Sequence, residues 1–583
     1  MRNLTRISRV VISILLFFSL GLTPLIGGQL HVPISHGVYQ VIQQLELVGA
    51  VQQLSGVKPY TESYITDLLN MALSKDGLLS PEEEQILRGY LAEFSPKEGG
   101  YSLEHLLDTG SMGTETQDGK LRTEVGTKIS SFTAIPVTSF ADYDLRNVLD
   151  IYLAADITES ASILIAAGLR IDKLDTQAYA PYRFTTPGEG FYFYFQNDIN
   201  NNIGYSDGEF ITIGSEFPLT TPVIGFDMES DLVLTLLDNA VQLSWGMYER
   251  DWGFGTNGLL LSGTARVFDA VEGRLRLSDW LQYSYLTGTL TPAVLDYVGD
   301  ATDNFQNMVT MKRVELLLPF SLKLSLYESC VWVKRFELGY LNPFMISMLY
   351  QNILGDYDNM YAGVELEYAV PGFARIYGSM AVDEMHHINP ALWFKEARDI
   401  FALQAGIEIS VPKLPFTSAN FQYTLISPFF YTHYLQNYPI YDTSTTEASM
   451  ITYYINKGES LGYYIPPNSD EFLFNFTTRA IPDTELGLTI GWVRHSGQYG
   501  DSLEKYFDYD KYIAGAYPEK NFNENIVKSA VSAALNVNWN IPRLPVSLSG
   551  GYVWIMDSTR SDPTNSWDIT YQNIVSFGVN VYY

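Results

Sequence analysis

Cysteine is almost absent from this sequence: among 583 residues, Cys330 alone carries a thiol. A single cysteine excludes an intramolecular disulfide and a cysteine-based zinc cluster. It also leaves no cysteine at the end of the amino-terminal apolar run to accept a lipid, which excludes lipoprotein anchoring. Cys330 stands next to Val331 and Trp332, and in such an apolar stretch we expect a buried, inert thiol.

Long apolar runs are confined to the start of the chain. Val10–Ile26 is nearly all apolar and follows three arginines, which is the pattern of a cleaved export signal, and we assign residues 1–30 to it. A retained membrane helix is the alternative, but Gly21 and Pro24 interrupt the run and shorten it. Elsewhere no stretch approaches the roughly 18 consecutive apolar residues that a membrane-spanning helix needs.

Basic residues are few. The chain has 36 Lys and Arg against 66 Asp and Glu, so its formal net charge is −30. This balance argues against binding of nucleic acid, which requires basic contacts to phosphates. Inside a pore, it would favour cations or neutral ligands held by hydrogen bonds. Alternatively, acidic loops serve only solubility and ion binding at the cell surface.

Aromatic residues, in contrast, are abundant, with 41 Tyr, 31 Phe and 9 Trp. Without hydrophobic helices, this composition is typical of an outer-membrane β-barrel with an aromatic girdle at each membrane interface. The mean hydropathy lies near zero, because lipid-facing and lumen-facing residues of a barrel average out. A large secreted all-β protein shares part of this composition and is the alternative.

Residues 31–98 show helical spacing. Apolar residues recur every three or four positions around Ile42 and around Leu68, and Ser80–Glu83 is a capping box with proline at the first helical position. We therefore predict a bundle of three short helices, docked on a barrel from the periplasmic side. A linker rich in Gly, Ser and acidic residues follows at 99–119.

Residues 120–583 change to a period of two. Ile163, Ile165 and Leu169 alternate with small or polar residues, and the last run, Val575–Tyr583, alternates in the same way and ends in an aromatic residue. We predict an all-β transmembrane barrel of about 16 to 20 antiparallel strands whose closing strand is the carboxyl terminus. A barrel this wide encloses an aqueous lumen unless a segment plugs it.

Proline-rich motifs and polar segments predict the two ends of this barrel. Proline suits short periplasmic turns because the strand ladder is already ending there. The predicted turns are Phe217–Pro222, Ala369–Gly372, Val411–Pro415 and Ile541–Pro545. Longer segments rich in Asp, Asn, Gly and Tyr are predicted as extracellular loops at 294–308, 434–470 and 496–525.

A glycine-rich segment, Glu249–Gly258, interrupts the alternation. Closely spaced glycines let the backbone approach a ligand, while Trp252 offers a flat stacking face and Asp251 and Asn257 can hydrogen-bond to sugar hydroxyls. The plainer interpretation, which the residues alone favour, is a glycine-kinked turn with a tryptophan at the membrane interface.

Ordered short motifs over residues 240–505 resemble the capsule-assembly (Wzi) family of outer-membrane proteins. The motifs are Trp252-Gly253, Leu260-Leu261-Ser262, Ala265-Arg266, Asn342-Pro343-Phe344, Asp358-Asn359, Pro371-Gly372, Tyr377-Gly378, Asp383-Glu384, Arg494-His495-Ser496-Gly497 and Gly500-Asp501-Ser502. The sequence departs from the family at Phe254, where the family has proline. Pro33–Leu73 separately looks like an S-layer-homology helix pair, which would imply binding of a cell-wall polymer, although a docking bundle explains the same residues.

The resemblance implies an 18-stranded, plugged barrel with a periplasmic helical bundle, acting as an outer-membrane lectin that holds exported polysaccharide. We accordingly expect outer-membrane lipid and surface polysaccharide as partners, no nucleic acid, no cofactor or metal, and a monomer. The candidate ligand-binding residues are Asp251, Trp252, Asn257, Asp358, Asn359, Tyr377, Asp383, Glu384, Arg494 and His495.

Two other functions compete with this expectation. Asp383 and Glu384, with His386 and His387 close by, could serve acid–base catalysis or chelate a divalent cation. Four polar residues within five are more often a solvated loop, however, and no nucleophile stands in an established motif beside them, so we expect no enzyme. A passive, cation-preferring porin is the other alternative.

Overall fold

The computed structural model describes most of the chain after residue 27. The described ranges are 28–75, 77–94, 111–115, 122–137, 143–158, 160–174, 219–237, 239–290, 307–333, 336–355, 358–387, 389–433, 436–437, 449–450, 452–456, 459–497, 499–503, 507–517, 520, 522, 525–542 and 544–582. The predicted export signal falls outside them except for its last three residues. Within the predicted linker, Ser111–Glu115 is a short strand that pairs with Arg122–Gly126, so the linker is partly β structure.

Residues 28–30, the last three of the predicted signal, contact the folded part of the chain. The carbonyl of Gly28 accepts a hydrogen bond from the amide of Ser63 at 2.9 Å. The amide of Gln29 donates to Oγ of Ser162 at 3.0 Å.

Three helices form where the spacing predicts them: α1, Val38–Leu47; α2, Glu62–Leu73; and α3, Pro81–Phe94. Oγ1 of Thr61 accepts from the amide of Tyr64 and caps α2. At the start of α3, Ser80 and Glu83 exchange side-chain to backbone hydrogen bonds of 2.8 and 3.2 Å, the predicted capping box. Among the described residues, no helix combines the length and apolar character needed to cross a membrane.

Eighteen strands close into an antiparallel barrel. They are β1, Arg122–Pro136; β2, Asp144–Thr158; β3, Ala161–Leu174; β4, Leu219–Leu236; β5, Val241–Met247; β6, Asp269–Ser278; β7, Leu281–Leu290; β8, Asn307–Leu318; β9, Leu322–Val333; β10, Asn359–Val370; β11, Ala374–Glu384; β12, Ile400–Ser410; β13, Ser418–Ile426; β14, Ser469–Ile481; β15, Thr484–Ser496; β16, Ile526–Asn540; β17, Val546–Thr559; and β18, Asp568–Tyr582. Each strand pairs with the next along the chain, and β18 closes on β1, with Val575 opposite Ile135 and Val581 opposite Ile129. The predicted fold class and closing strand are confirmed.

The connections alternate in length around the barrel. The predicted turns at 369–372, 411–415 and 541–545 lie at the end with short connections, and the long connections lie at the opposite end, which we call the outer end. The predicted turn at Phe217–Pro222 is wrong, because Leu219–Pro222 begins β4 after a long outer connection. Proline marks the edge of a strand ladder at either end of a barrel, so it does not identify which end.

The helical bundle contacts the end of the barrel that carries the short turns. The amide of Gly372, in the turn between β10 and β11, donates to the carbonyl of Leu47 at 2.7 Å. Gln40 of α1 donates to the carbonyl of Phe416, in the next short turn, at 2.9 Å. The ring of Phe416 packs within the core of the helices. The bundle therefore lies at the end where the sequence predicts the periplasm.

Side chains alternate between lumen and exterior as the period of two predicts. On β18, Phe577 and Val579 are 61% and 40% exposed, whereas the intervening Gly578 is buried. Ile165 on β3 and Ile490 on β15 are likewise exposed on the exterior. The apolar exterior is what a membrane-spanning barrel of the outer-membrane type presents to lipid.

Neighbouring positions on β15 test which face meets lipid. Ile490→Arg places a charge on the exterior near the middle of the strand, and we expect it to lower the free energy of unfolding by about 2 to 4 kcal/mol. Thr489 faces the lumen, where its hydroxyl donates to Asn475 at 2.9 Å, so Thr489→Arg is the matched control with a smaller loss. Denaturant titration in lipid vesicles measures both; equal losses would contradict the assigned faces.

Candidate functional site

The long connection between β5 and β6, residues 248–268, turns into the barrel lumen. We call it the outer connection. Within it, Asp251–Trp252 forms a two-residue strand that pairs antiparallel with Val57–Lys58, from the segment between α1 and α2. The amide of Gly253 extends this pairing by donating to the carbonyl of Gly56 at 3.0 Å. A segment from the outer end and a segment from the helical end therefore meet inside the barrel.

Glycines allow the outer connection to fold back on itself. A Cβ at Gly258 would lie 2.5 Å from the carbonyl oxygen of Trp252 and 2.9 Å from that of Leu261. The amide of Trp252 donates to the Leu261 carbonyl at 2.8 Å, and Asn257 has a positive φ of 60°. The glycine pattern thus serves a tight backbone turn, which is the plainer of the two interpretations of the sequence.

Asp251 and Trp252 have structural contacts in this turn. The carboxylate of Asp251 pairs with Nζ of Lys58 at 3.1 Å and accepts from the amide of Gly258 at 3.2 Å. The side chain of Trp252 is completely buried. The expectation that its indole offers a stacking face to an outside ligand is therefore corrected.

An ionic network on the lumen wall surrounds the meeting point. Its cations are Arg313, Lys323 and Arg375, and its carboxylates are Glu46, Glu315, Glu365, Glu367 and Glu408. Arg375 lies between two of these, at 2.9 Å from Glu367 and 2.6 Å from Glu408. Lys323 pairs with Glu367 at 2.9 Å and with Glu46 of α1 at 2.5 Å. The network joins strands β8 to β12 to the helical bundle.

The same network also holds the outer connection. Nη1 of Arg375 donates to the carbonyl of Phe254 at 3.1 Å. The ring of Phe254 lies beneath two cations, with its centroid 4.8 Å from Cζ of Arg313 and 5.5 Å from Nζ of Lys323. Phe254 is the position at which the sequence departs from the capsule-assembly family. Its ring contributes cation–π contacts to the packing of the lumen.

Buried tyrosines pack on the connection at 248–268 above this level. Tyr361 of β10, and Tyr431 and Tyr454 of the connection between β13 and β14, donate to the carbonyls of Leu259 or Leu260 at 2.6 to 3.2 Å. All three tyrosines are at most 1% exposed. The described part of this second connection therefore packs on the first. We call residues 54–58 and 248–268, together with the described residues 427–433, 452–456 and 459–465, the plug.

Four of the ten candidate residues belong to the plug or its wall. Besides Asp251 and Trp252, these are Asn257, whose carbonyl accepts from Gln404 at 3.0 Å, and Tyr377. Tyr377 is 3% exposed, and its hydroxyl lies 3.0 Å from Oδ1 of Asn420. These four residues lie in the lumen, away from the outer surface.

The remaining candidates lie apart from the plug core. Asp358 is buried and accepts from the hydroxyl of Tyr340 at 2.7 Å, while the neighbouring Asn359 is 2% exposed on the lumen side. Arg494 pairs with Asp470, Nε to Oδ1 at 2.9 Å. The ring of His495 hydrogen-bonds to Ser469 at 2.8 Å.

The two histidines of the cluster considered from sequence both contact Asp399. Oδ1 of Asp399 accepts from the amides of His386 and His387, and its other oxygen lies 3.1 Å from Nδ1 of His387. Asp399 therefore organises this loop, and no pattern in the sequence singled it out. Within the described ranges, no group of three or more His, Cys, Asp or Glu is arranged to hold a metal ion.

An aromatic patch lies at the outer surface beside this loop. Arg398 pairs with the candidate residue Glu384 at 3.2 Å, and its guanidinium lies 5.3 Å from the ring centroid of Tyr509. Tyr509 is 43% exposed and lies 6.0 Å from the ring of Tyr512, which is 6.3 Å from that of His386. We call these five residues the outer aromatic patch. It offers exposed ring surface together with a carboxylate and a guanidinium.

Burial shifts the pKa of three ionisable groups in the outer connection, beside Asp399 and on α1. Burial raises the pKa of Glu249, at the start of the outer connection, to about 7. It lowers the pKa of Lys520 to about 7; that ammonium donates to the carbonyl of Asp399. Burial also raises the pKa of Glu46, against the opposing effect of Lys323.

None of the residues of the ionic network was predicted from the sequence as a functional or structural site. Its residues stand at alternate strand positions, as in Arg313 and Glu315 or Glu365 and Glu367, so each faces the lumen. The sequence does contain a signal for this network, because charged residues repeat at the inward positions of adjacent strands. In a water-filled lumen such charges would not need partners on other strands, whereas buried charges do.

Comparisons with known proteins concern the fold. No protein-family model and no curated sequence matches this chain. It is similar to the structure of Wzi from Escherichia coli, described as an outer-membrane protein involved in group 1 capsule assembly and a carbohydrate-binding β-barrel. That match has a TM-score of 0.53 and 12% identity, and covers 95% of this chain and 100% of the other. The likeness predicted from the motifs is thereby confirmed for the fold.

Two Pseudomonas aeruginosa barrels show weaker similarity. OpdK, solved with vanillate, has a TM-score of 0.40 and 8% identity, covering 79% of this chain and 98% of its own. OprD has a TM-score of 0.38 and 9% identity, covering 81% and 97%.

Removing Arg375 tests whether the ionic network holds the lumen together. Arg375→Met leaves two buried carboxylates without their shared cation, so we expect a loss of about 3 to 5 kcal/mol in the free energy of unfolding. Arg88→Met is the control, because its pair with Glu84 on α3 is exposed and 3.7 Å long, and its loss should stay below about 1 kcal/mol. Denaturant unfolding gives both values, and similar losses would refute the role of the network.

Proposed function

We propose that this protein is an outer-membrane barrel that binds or organises exported surface polysaccharide without chemical turnover. The chain would reach the outer membrane through a cleaved signal, with its helical bundle in the periplasm. Membership of the capsule-assembly family is part of the proposal. Its support is the ordered set of motifs, together with the fold shared with a carbohydrate-binding barrel.

The observation that carries the proposal is the plug. The connection at 248–268 is fixed from below by the segment around Val57 and from above by buried tyrosines. A lumen filled in this way is unsuited to free diffusion of solutes, which a passive porin requires. The outer surface of the barrel is then the place where a large ligand is recognised.

Polysaccharide binding needs exposed aromatic faces with polar groups beside them. The outer aromatic patch has both: the ring of Tyr509, and the paired carboxylate of Glu384 and guanidinium of Arg398. A sugar ring can pack its C–H face on the tyrosine while its hydroxyls contact the charged groups. We therefore assign the ligand contact to this patch. Of the ten candidate residues named from the sequence, Glu384 belongs to it. Asp251, Trp252, Asn257 and Tyr377 would support it by fixing the plug.

Substitution at the patch tests the proposal. We expect Tyr509→Ala to weaken binding of surface polysaccharide about tenfold, which corresponds to about 1.4 kcal/mol, because the exposed stacking face is lost. Trp567→Ala is the matched control: Trp567 is 37% exposed in another outer loop, and Arg560 stacks on it at 4.4 Å. Binding of purified polysaccharide to protein in detergent is measured by calorimetry, and retention on cells by immunolabelling.

Three results would separate the alternatives. No binding by the parent protein to any surface polysaccharide would contradict the proposed function. Equal losses from Tyr509→Ala and Trp567→Ala would retain polysaccharide binding but reject the patch. Hydrolysis of ester or peptide substrates, lost on changing Asp383 or His386, would establish an enzyme instead.

A further inference from the structure

The long connection between β9 and β10 lies against the outside of the barrel wall. It contains two short helices, α4, Leu338–Leu341, and α5, Ser347–Leu354. Tyr283 of β7 donates its hydroxyl to the carbonyl of Pro343, and Tyr285 donates to that of Leu341 at 3.1 Å. The two tyrosines alternate with buried, lumen-facing Ser284, so their rings are on the exterior. We call residues 336–355 the outer belt.

Burial along the outward face of β9 shows how much wall the outer belt covers. Near the short-turn end, Leu326 is 54% exposed. Toward the outer end, Cys330 and Trp332 point to the same side, yet both are completely buried. Trp332 packs on Tyr340 of α4, with the ring centroids 4.8 Å apart. The outer half of this face is therefore covered by the belt.

An ion pair lies between the wall and the outer belt. Lys312 of β8 and Glu328 of β9, both on the exterior, pair at 2.9 Å. Ser347, the first residue of α5, accepts from Nζ of Lys312 at 2.8 Å and donates its amide to Glu328 at 2.8 Å. The belt thus shields from the surroundings two charges that stand at lipid-facing positions of the barrel.

The side of the outer belt that faces away from the wall is apolar. Glu337 is the only charged residue in 336–355. The exposed fractions of its large apolar side chains are Phe336 80%, Leu338 67%, Phe344 77%, Ile346 52%, Met348 48%, Leu349 54% and Ile353 77%. A surface of this kind in water would be an unusually large exposed apolar area.

Strand length places the outer belt within the membrane. The 12 residues of β9 extend about 40 Å and rise about 30 Å at a tilt of about 40°. If lipid met the bare wall alone, only Leu322–Leu326 would face it, about 13 Å of height. The apolar band of an outer-membrane barrel is about 25 Å tall. The belt has to supply the missing part of that band.

We propose that the outer belt is an interfacial anchor embedded in the leaflet at the outer end, with its apolar side against acyl chains. The exposed wall residues Leu326, Val364 and Leu366 stand on the same side of the barrel as the belt, and they meet lipid in any membrane-spanning barrel. Lipid is therefore the occupant. This inference does not depend on polysaccharide binding.

Spin labels on single cysteines test the location of the outer belt. Phe344→Cys and Ile353→Cys are labelled in the full chain and reconstituted in vesicles of phosphatidylethanolamine and phosphatidylglycerol. Leu366→Cys gives the lipid reference and Ser566→Cys, in the exposed loop before β18, gives the aqueous one. Native Cys330 is completely buried, so labelling of the parent protein measures background.

Collision rates with oxygen and with a water-soluble nickel complex then decide the question. We expect both belt labels to match Leu366→Cys, with high oxygen and low nickel accessibility. A match to Ser566→Cys would overturn the proposal. Low accessibility to both reagents, with spin–spin broadening that disappears on dilution with unlabelled protein, would overturn it in favour of a second copy. If either variant loses the heat-modifiable mobility of the folded barrel, Met348→Cys replaces it.

Discussion

Pairing of buried charge inside the lumen is the constraint on which the rest of the structure depends. Arg313, Lys323 and Arg375 stand on the inner wall, where the plug excludes water from them. Each is held by carboxylates of its own strand or of strands close by. Such pairs add little net stability, because desolvation offsets their attraction, but an unpaired member is costly. The network therefore favours one arrangement of plug and wall over all others that would leave a charge unmatched.

That arrangement links the two ends of the barrel. Glu46 joins the helical bundle to Lys323, and Phe254 joins the outer connection to the same cation and to Arg375. The strand pairing of Val57 with Trp252 completes the link. If either the segment 54–58 or the connection 248–268 moved away, the ion pair of Lys58 with Asp251 would break. A stable outer surface, on which a large ligand can be held, follows from this mutual dependence.

Much of the fold could be predicted from the sequence, because a strand with lipid on one side must alternate. The runs around Ile165 and Phe577 show this directly, and the capping box at Ser80 identifies a helix start. The prediction of a short turn at Phe217–Pro222 was wrong, because proline marks the edge of a strand ladder but does not show at which end of the barrel that edge lies. The prediction that Trp252 exposes its indole was wrong, because no local sequence pattern indicates that the outer connection folds into the lumen. Its burial depends on Tyr361 and Tyr431, more than 100 residues away.

The candidate site was predictable only in part for the same reason. Glu384 lies in the outer aromatic patch, but its partners Arg398 and Tyr509 come from separate connections, and their proximity depends on the closed barrel. The outward pair of Lys312 and Glu328 contradicts simple alternation, and its explanation is the outer belt that covers it. Long-range packing, rather than local pattern, decides these positions.

The central claim is that the lumen is closed, and conductance across a planar lipid bilayer tests it most directly. The purified full chain, inserted under a transmembrane voltage, should give no steady ion current, because the plug is held by charges and hydrogen bonds on both sides. Robust, cation-preferring single-channel steps from the unmodified protein would contradict the closed lumen and establish a porin.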